Sequence, residues 1–303
     1  MQALLDAIAR LPLPGPDAQR VFHGRGGLYP GAEAWTLDWY APVWLLTHFG
    51  PHDPAQVAQA GQALADRWHA LAPGQPLNWV FQCRDAGQHQ TTVMAGTVPD
   101  PHVVSEQGCQ YLVHLTRGQN HGLFLDMAEG RRWVRAQAAG QSVLNLFAYT
   151  CAFSVAALQG GARSVINLDM AAGALAIGQR NHALNGLQQG ARFLAHNLFH
   201  SWGKVTRLGP YGLVVVDPPA YQKGSFVAGK DYPRLLRRLP ELLAPGGHAL
   251  LCLSAPEWPL AFLQDALAQE APSLQLVQRL PNPVVFADVS DDRALKVLVV
   301  RQD

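Results

Sequence analysis

The residues most suited to chemistry follow the most apolar predicted strand, YGLVVVD. Asp217 ends this strand, and Pro218, Pro219, Ala220 and Tyr221 come next. Because proline fixes the backbone and has no N–H, the carbonyl groups at this strand end project outward. The Asp217 carboxylate and the Pro218 carbonyl can accept N–H groups of an amino or ring-nitrogen substrate, and Tyr221 offers a stacking face. The alternative is a rigid turn that only ends the strand.

A second acid follows another predicted strand, SVINLD. Asp169 lies 24 residues after Asn145 and can accept hydrogen bonds from both ribose hydroxyls of a nucleoside cofactor. A surface acid without that role is the alternative. The preceding strand runs through NLFAYTC into a helix without G-x-G-x-x-G, the glycines that a dinucleotide pyrophosphate needs for close backbone approach. This absence argues against NAD or FAD.

An alternation of strands and helices from Ser142 onward must position these residues. The predicted strands are SVLNLF, SVINLD, ARFLAH, YGLVVVD and HALLCLS, with LQLVQRL and KVLVV at the sheet edge. The predicted helices include residues 154–158, 172–184, 232–243 and 258–269. This pattern predicts a doubly wound α/β sheet, in which ligands bind at the carboxyl ends of the strands.

The first hundred residues have a different pattern and a different charge. Helices are predicted over residues 2–10 and 54–71, and strands over AWTLDWYAPVWLLTHFG, LNWVFQCR, TTVMAGTV and CQYLVHL. Residues 1–100 carry a net charge of −3 and the rest +4. We therefore expect a smaller α+β domain over 1–105 and a second domain over 106–303. The first shapes a substrate cleft or a homodimer interface, and its tryptophans belong to its core.

Composition excludes several classes of protein. Hydrophobic residues make up 49% of the 303, which excludes global disorder, and a net charge of +1 excludes a broad basic coat for nucleic acid. Residues 223–238 alone carry a net charge of +4. In this stretch Lys223 and Lys230 are the better candidates for substrate contact, whereas a solvated helix face explains the three arginines equally well.

Cysteine spacing and apolar runs indicate a cytoplasmic protein without metal or membrane span. The four cysteines form no C-x-x-C pair, so reduced thiols are expected and no metal site. MQALLDAIAR is not a secretory signal. The apolar run over 143–158 has 16 residues, fewer than the roughly 20 that a membrane span needs.

The second region resembles class I S-adenosylmethionine-dependent methyltransferases, specifically the large-subunit ribosomal RNA methyltransferase group. The matching pieces are GLFLD, VLNLFAYT, FSVAAL, GGA, Asp169, RNHALNGL, VVVDPPAY and LLAPGG. The resemblance covers about two thirds of the chain, from Val104 onward, and implies a Rossmann-like methyltransferase sheet, S-adenosyl-L-methionine as cofactor and ribosomal RNA as partner.

The resemblance also implies roles for individual residues. The turn over 145–150 would hold the methionine part of the cofactor, Asp169 its ribose, Asn197 and Leu198 its adenine, and Asp217 would face the methyl group. The expected cofactor-binding residues are Asp126, Arg131, Asn145, Phe147, Tyr149, Thr150, Asp169, Met170, Asn197, Leu198 and Asp217. Asp217, Pro218 and Tyr221 are the expected catalytic residues, and Tyr221, Lys223 and Lys230 the expected substrate-binding ones.

Three departures from the family pattern matter. Cys151 and Ala152 stand where two glycines are usual, and Asn197 stands where an acid is usual. Members that make 5-methylcytosine carry a nucleophilic cysteine just past the fifth strand, because carbon 5 must be activated by covalent attack at carbon 6. Here that stretch reads Ser-Ala-Pro, and Cys252 lies inside the predicted strand. The chain is therefore more similar to the guanine-nitrogen branch.

The sequence thus predicts methyl transfer to a base nitrogen, guanine in ribosomal RNA. Two alternatives stay open. The first is a protein or small-molecule acceptor, favoured by the near-neutral charge and because the family's RNA-binding accessory domain is not recognisable in residues 1–100. The second is a protein that binds cofactor or RNA without catalysis, motivated by the departures at Cys151, Ala152 and Asn197.

Overall fold

The computed structural model describes residues 1–85, 88–219, 221–222 and 226–303. The chain forms two compact units, one of Met1–Asp126 with Pro283–Val289 and one of Met127–Asn282 with Ser290–Asp303. The boundary expected between residues 105 and 106 falls within a β hairpin, whose strands His102–Glu106 and Cys109–Val113 are paired. Since those cross-strand hydrogen bonds keep the hairpin together, the first unit extends beyond it.

The first unit contains one helical pair and a five-stranded sheet. Its elements are α1 (Gln2–Ala9), β1 (Gln19–His23), β2 (Trp35–Tyr40), β3 (Val43–Phe49), α2 (Pro54–Leu71), β4 (Trp79–Asp85), β5 (Gln88–Ala95), β6 (His102–Glu106) and β7 (Cys109–Val113). The five strands β1 to β5 lie in chain order, and β6 and β7 form a separate hairpin. Only β3 and β4 are parallel, because α2 connects them.

Aromatic side chains form the core of this sheet. Trp39 and Trp44 are cross-strand partners with ring centroids 4.7 Å apart, and Trp68 of α2 lies 5.7 Å from Trp39. Trp35, Trp39, Trp44 and Trp79 are all buried and Trp68 is half-buried, which confirms that these rings are core. The Asp53 carboxylate accepts the Ala55 N–H at 2.8 Å and so caps α2 where the sequence predicts its start.

The second unit is built on a seven-stranded sheet. Its elements are α3 (Ala128–Gln137), β8 (Ser142–Leu146), α4 (Ala152–Gln159), β9 (Ser164–Asp169), α5 (Ala172–Leu184), β10 (Ala191–Ala195), α6 (Trp202–Leu208), β11 (Tyr211–Val216), β12 (Tyr221–Gln222), β13 (Phe226–Val227), α7 (Ala228–Leu236), α8 (Leu239–Leu242), β14 (Leu243–Leu253), α9 (Leu260–Glu270), β15 (Leu274–Leu280) and β16 (Lys296–Gln302). The strand order is β10-β9-β8-β11-β14-β16-β15, and only β16 runs antiparallel to its neighbours. This confirms the predicted doubly wound α/β fold.

The central strands of this sheet are buried on both faces. Consecutive residues of these strands point to opposite sides of the sheet, and both sets lie in hydrophobic clusters. Leu213 and Val215 of β11 lie in the same cluster as Val134 of α3, whereas Val214 and Val216 lie in the cluster that contains α7 to α9. A strand covered on both faces is apolar at every position, as the run YGLVVVD indicates.

The helix predicted over 232–243 differs from the structure. The helix α7 begins earlier, at Ala228, where the Asp231 carboxylate accepts the Val227 N–H at 2.9 Å. It ends at Leu236, because Pro240 cannot donate a helical hydrogen bond to that carbonyl. The strand β14 then begins at Leu243 rather than at His248, since the segment with Pro245 already pairs with β11.

In the described ranges, 1–85, 88–219, 221–222 and 226–303, no helix is both long and apolar enough to cross a membrane. The four cysteines are free thiols, of which Cys109, Cys151 and Cys252 are buried.

A fully buried lysine fixes the segment that follows β14. The Lys296 ammonium donates to the carbonyl oxygens of Ala255 at 3.0 Å, Trp258 at 2.8 Å and Asp292 at 2.6 Å. Lys296 is 0% exposed, so these bonds compensate for the loss of hydration of its charge. The lysine thereby joins β16 to the chain on both sides of α9.

Replacing Lys296 with methionine removes the donor of all three bonds while keeping an unbranched side chain. We expect Lys296→Met to lower the free energy of unfolding of the second unit by about 3 kcal/mol, since buried acceptors lose their partner. Urea titration followed by tryptophan fluorescence measures this. Arg301→Gln, exposed on the same strand, is the matched control and should change it by less than about 0.5 kcal/mol. Equal unfolding of the two variants would contradict the role assigned to Lys296.

Candidate functional site

The strand order of the second unit reverses between β8 and β11. From β8 the chain proceeds to β9 and β10 on one side, whereas β11 and β14 lie on the other. In open α/β sheets the crevice at this switch point, beyond the carboxyl ends of the strands, is where ligands bind. The two segments at that position are residues 147–151 after β8 and residues 217–219 after β11. The structure thus brings together the two stretches that the sequence singles out.

The loop that follows β8 is strained at every second residue. Phe147, Tyr149 and Cys151 have φ angles of 55°, 46° and 62°, in the left-handed region that favours glycine. Each such residue costs roughly 1–2 kcal/mol. Backbone strain of this kind persists only where surrounding contacts enforce it, and it clusters at ligand sites. Cys151, which stands at a usual glycine position of the family, adopts the backbone conformation of a glycine.

The carboxylate of Asp169 is one of the contacts that enforce this strain. Its Oδ2 accepts the Tyr149 N–H at 2.8 Å and its Oδ1 accepts the Ala171 N–H at 2.8 Å. These are charge-assisted bonds, about twice as strong as neutral ones. Asp169 therefore joins the β8 loop to the start of α5.

A second contact comes from α5. The side-chain amide of Asn181 donates to the Thr150 carbonyl at 2.9 Å, and Asn181 is fully buried. Cys151 is buried too, and burial together with the nearby Asp169 carboxylate raises the pKa of its thiol. A buried thiol with a raised pKa is a packing residue rather than a reactive one.

Below the loop a row of buried polar side chains crosses from β8 to α5. Asn145 donates to Asn167 at 2.9 Å, Asn167 donates to the Ser154 hydroxyl at 3.0 Å, and Ser154 lies 2.8 Å from His182 Nε2. His182 Nδ1 lies 2.7 Å from the Gly178 carbonyl, which only accepts, so Nδ1 carries the proton and Nε2 accepts from Ser154. Burial lowers the pKa of His182, in keeping with the neutral ring that this direction requires.

Asn145 therefore supports the loop from beneath it. Its side chain is 1% exposed and bonds to the neighbouring strand, where Asn145 and Asn167 are paired in register. Its predicted contact with the cofactor would have to come from its backbone or the turn that follows.

A row of aromatic rings connects the β8 loop to β13 and α7. Phe147 and Phe226 are edge to face with centroids 5.3 Å apart, and Phe226 and Tyr232 are similarly arranged at 5.6 Å. The Tyr232 hydroxyl donates to the Cys252 carbonyl at 2.6 Å. Burial, with Cys252 and the Asp217 carboxylate, raises the pKa of Tyr232 well above its usual value. Asp217 therefore lies close enough to this row to influence its charge state.

The residues expected at the adenine have unlike environments. Met170 is 48% exposed directly after Asp169, whereas Leu198 is 2% exposed and belongs to the core. Asn197 Oδ1 accepts the Phe199 N–H at 2.9 Å and caps the turn there. Its oxygen keeps a further lone pair and its amide nitrogen is a donor, so Asn197 can pair with an amino group or with a ring nitrogen of a ligand.

The remaining expected residues are more scattered. Arg131 is buried in α3, and Asp126 is half-buried in the turn Leu125–Met127, at the end of the first unit. Lys230 is exposed on α7. Lys223 and the side chain of Tyr221 lie outside the described residues. Within the described ranges, His, Cys, Asp and Glu side chains form no group of three or more that could hold a metal ion.

The arginines of the basic segment are held in ion pairs on the surface. Arg234 pairs with Asp231 at 2.8 Å, Arg237 pairs with Glu270, and Arg238 pairs with Glu241 at 2.9 Å. Their charges are thus largely neutralised, which agrees with the interpretation as a solvated helix face.

Sequence reasoning missed the residues that hold the loop from below. Asn181 and His182 belong to the motif RNHALNGL, which carried the resemblance but received no role. Two polar residues inside an apolar strand and helix, Asn167 and Ser154, were the available signal, because buried polar groups need partners.

Removing the hydroxyl in the middle of the buried row tests its contribution. Ser154→Ala leaves an amide donor of Asn167 and the ring acceptor of His182 unsatisfied, so we expect the free energy of unfolding of the second unit to fall by about 2 kcal/mol. Urea titration measures it. Ser142→Ala, a half-buried serine on β8, is the control and should have little effect. If both variants unfold alike, the row does not stabilise the loop.

Comparison with known proteins gives a family match over nearly the whole chain. The model of a family described as S-adenosylmethionine-dependent methyltransferase matches residues 19–301. Ribosomal RNA large subunit methyltransferase K/L of Psychrobacter sp. (strain PRwf-1) is 37% identical over 154 residues, 48% of this chain and 19% of that protein. Ribosomal RNA large subunit methyltransferase I of Aeromonas salmonicida (strain A449) is 29% identical over 227 residues, 71% of this chain and 57% of that protein. The chain thus spans at most about 57% of the length of these two relatives.

Solved structures share the fold. The crystal structure of SMU.776, a methyltransferase complexed with SAH, matches with a TM-score of 0.82 at 24% identity, covering 99% of this chain and 81% of that one. A SAM-dependent methyltransferase from Agrobacterium tumefaciens matches with a TM-score of 0.70 at 18% identity, covering 97% and 92%. The match of the family model from residue 19 to residue 301 shows that the chain belongs to the S-adenosylmethionine-dependent methyltransferase family.

Proposed function

We propose that this chain transfers the methyl group of S-adenosylmethionine to a nitrogen of a nucleobase, guanine in ribosomal RNA. The observation that carries the proposal is the pairing, at one switch point, of the strained β8 loop with the Asp217-Pro218-Pro219 segment after β11. One segment suits a nucleoside cofactor and the other suits a substrate with N–H donors.

The residues around the β8 loop fit the cofactor. Asp169 uses each carboxylate oxygen for one backbone N–H, and each oxygen has a further lone pair for a ribose hydroxyl. Met170 next to it is exposed and offers an apolar surface to adenine, with Asn197 as a polar partner. The enforced turn over 147–151 would hold the methionine part. The bound sulfonium supplies an activated methyl group, so the protein has mainly to orient the acceptor and exclude water.

The segment after β11 would orient the acceptor. Asp217 and the Pro218 carbonyl accept the N–H groups of the base, and Tyr221 stacks on a base that has left its helix. The exocyclic amine and ring N–H of guanine are donors of the kind that these acceptors require. Lys223 and Lys230 would contact nearby phosphates, and Arg131 would line the cofactor cleft. The role that the resemblance implies for Asp126 stays a prediction.

A nitrogen acceptor is favoured over carbon 5 of cytosine. The residues just past β14 are Ser254, Ala255 and Pro256, none of them a nucleophilic thiol. Cys252 is 0% exposed within β14 and so is poorly placed to attack a base. No thiol therefore stands just past β14 to attack carbon 6 of a pyrimidine and activate carbon 5.

The names of the relatives support ribosomal RNA as the partner, and with it a place in the cytoplasm, where four free thiols also fit. A homodimer formed through the first unit stays a prediction. The second candidate, a protein or small-molecule acceptor, is favoured by the ion pairs that neutralise Arg234 of α7 and Arg237 just after it. Labelled donor incubated with total RNA and with total protein separates the two.

Asp169→Asn tests the cofactor site. The amide keeps one acceptor oxygen and turns an N–H₂ toward the other backbone donor, so we expect the affinity for S-adenosylhomocysteine to fall at least about tenfold, equivalent to 1.4 kcal/mol. Isothermal titration calorimetry measures it, with Asp265→Asn, exposed on α9, as the control. If wild type binds no S-adenosylhomocysteine, the enzyme proposal fails and a non-catalytic role gains support. Unchanged affinity in Asp169→Asn would remove Asp169 from the site.

Mapping modified nucleotides in ribosomal RNA tests the acceptor. Deleting the gene should abolish one methylated guanine. Restoring wild type should return it and Asp217→Ala should not, because the acceptor loses the group that orients its N–H. The exposed Asp265→Asn again serves as the control and should restore the modification. Asp231 is unsuitable as a control because its carboxylate already pairs within α7. If no ribosomal RNA modification differs between the strains, the RNA acceptor is wrong.

A further inference from the structure

Acidic residues are almost absent from the part of the second unit that contains β8, β9 and β10. Residues 130–216 include eight arginines or lysines and a single acid, Asp169, and so carry a net charge of +7. The whole chain carries only +1, so the rest of it is acidic. A basic region of this size within one unit attracts anions and is the electrostatic pattern of a surface that binds nucleic acid.

Four arginines of this region are exposed and keep their full charge. They are Arg163 just before β9, Arg180 on α5, Arg192 on β10 and Arg207 on α6. Within the part of the chain that the structure describes, none of their guanidiniums has an ion pair or a hydrogen bond. The three arginines of the segment 223–238, in contrast, are each paired with an acid.

Arg192 lies on the outermost strand of the sheet. Among the described strands β10 pairs with β9 alone, and none of its five residues is fully buried. Phe193 faces α5, since its ring centroid lies 5.1 Å from that of His182. Consecutive residues of a strand point to opposite faces of the sheet, so Arg192 points away from α5.

On that face Arg192 lines a cavity of about 350 Å³ at the amino ends of β8, β9 and β10. Its walls also include Ser142 of β8, Ser164 of β9 and Leu208 at the end of α6. The volume lies within the roughly 300 to 1,000 Å³ of ligand-binding pockets. Arg207 precedes Leu208 in the chain and is exposed, so a second cation lies one residue from the cavity wall.

The two serines supply hydroxyl groups to this cavity. Ser142 and Ser164 are partners in the paired strands, and their Oγ atoms lie 3.3 Å apart. Each hydroxyl has one hydrogen, so whichever serine donates to the other, one hydrogen remains for a ligand. The described residues that line the cavity include a guanidinium and these hydroxyls but no acid, and such a donor set suits a phosphate.

We propose that this cavity, with Arg192 and the hydroxyls of Ser142 and Ser164, binds a phosphate of the RNA backbone at the opposite end of the strands from the methyl-transfer crevice. The guanidinium donates to two phosphate oxygens and a serine hydroxyl donates to a third. β9 has six residues, so the cavity lies about 17 Å from Asp169 at the other end of that strand. The inference rests on the proposed function, since it assumes that the acceptor is RNA.

The salt dependence of RNA binding tests the site. Full-length protein is titrated with deproteinised large-subunit ribosomal RNA at several potassium chloride concentrations. Arg192→Gln should weaken binding about tenfold and reduce the slope of log K against log salt by about 0.7 to 0.9, because one phosphate contact is lost. Arg192→Lys should keep the slope, because it keeps the charge, and lose part of the affinity, because an ammonium lacks the two-pronged geometry.

Two further variants separate the geometry of the cavity from charge in general. Ser142→Ala combined with Ser164→Ala should weaken binding about threefold at an unchanged slope, because only neutral donors are lost. Arg180→Gln removes the same charge as Arg192→Gln on the α5 face, away from the cavity, and should bind RNA like wild type. Both arginines are exposed, so both variants should melt at the temperature of wild type.

The outcomes distinguish this site from the proposed function. If Arg192→Gln and Arg180→Gln bind ribosomal RNA with equal affinity and slope, the site is wrong, whatever the enzyme methylates. If Arg192→Gln alone loses affinity while deleting the gene changes no ribosomal RNA modification, the proposed acceptor fails and this RNA contact stands. Wild-type protein that binds no ribosomal RNA overturns both.

Titration with inorganic phosphate separates RNA from a small anion as the occupant. Calorimetry compares wild type with Arg192→Gln in the absence of RNA. If wild type binds phosphate and Arg192→Gln does not, while both bind ribosomal RNA equally, the cavity serves a small anion and the RNA contact is wrong. Loss of RNA affinity in Arg192→Gln, with competition between phosphate and RNA in wild type, supports the RNA contact.

Discussion

The carboxylate of Asp169 is the contact on which the arrangement of the methyltransferase unit depends. It accepts one N–H from the loop after β8 and one from the start of α5, and so ties two strand ends of the sheet together. Three residues of that loop have left-handed backbones that side chains disfavour. The carboxylate, the Asn181 amide and the buried row beneath supply the compensating hydrogen bonds. The aromatic row from Phe147 then joins this loop to β13 and α7.

Much of the architecture could be predicted because local signals mark it. The helices α2 and α5 have the predicted bounds: Asp53 and Pro54 start the first, and Asn185-Gly186 ends the second. The run YGLVVVD indicates a strand covered on both faces, and β11 is one. Strand ends can be read from sequence, so the two segments at the switch point could be named before any coordinates.

Other features depend on contacts between residues far apart in the chain. Ser154 and His182 are 28 residues apart, and nothing in either neighbourhood indicates that they meet. Arg25, in the turn after β1, and Arg84 of β4 both lie against the ring of Phe49 of β3, a proximity that a sum of charges over the first hundred residues cannot show. The prediction of one helix over 232–243 was wrong because Pro240, which has no N–H to donate, interrupts the helix that the surrounding leucines favour. The boundary expected at residue 105 follows the charge, whereas the paired strands β6 and β7 both lie in the first unit, which extends to Asp126.

The loop after β8 achieves glycine-like geometry with residues that bear side chains. Each of Phe147, Tyr149 and Cys151 would gain about 1–2 kcal/mol by leaving the left-handed region, so contacts with the rest of the unit must hold them there. A ligand that meets this loop therefore has little conformational entropy left to remove. The free energy of the ligand's contacts would then appear as binding affinity, because little of it would be offset by the cost of ordering the loop. The hydrogen bonds that hold this loop come from Asp169 and Asn181 of the protein itself, so they do not depend on a ligand.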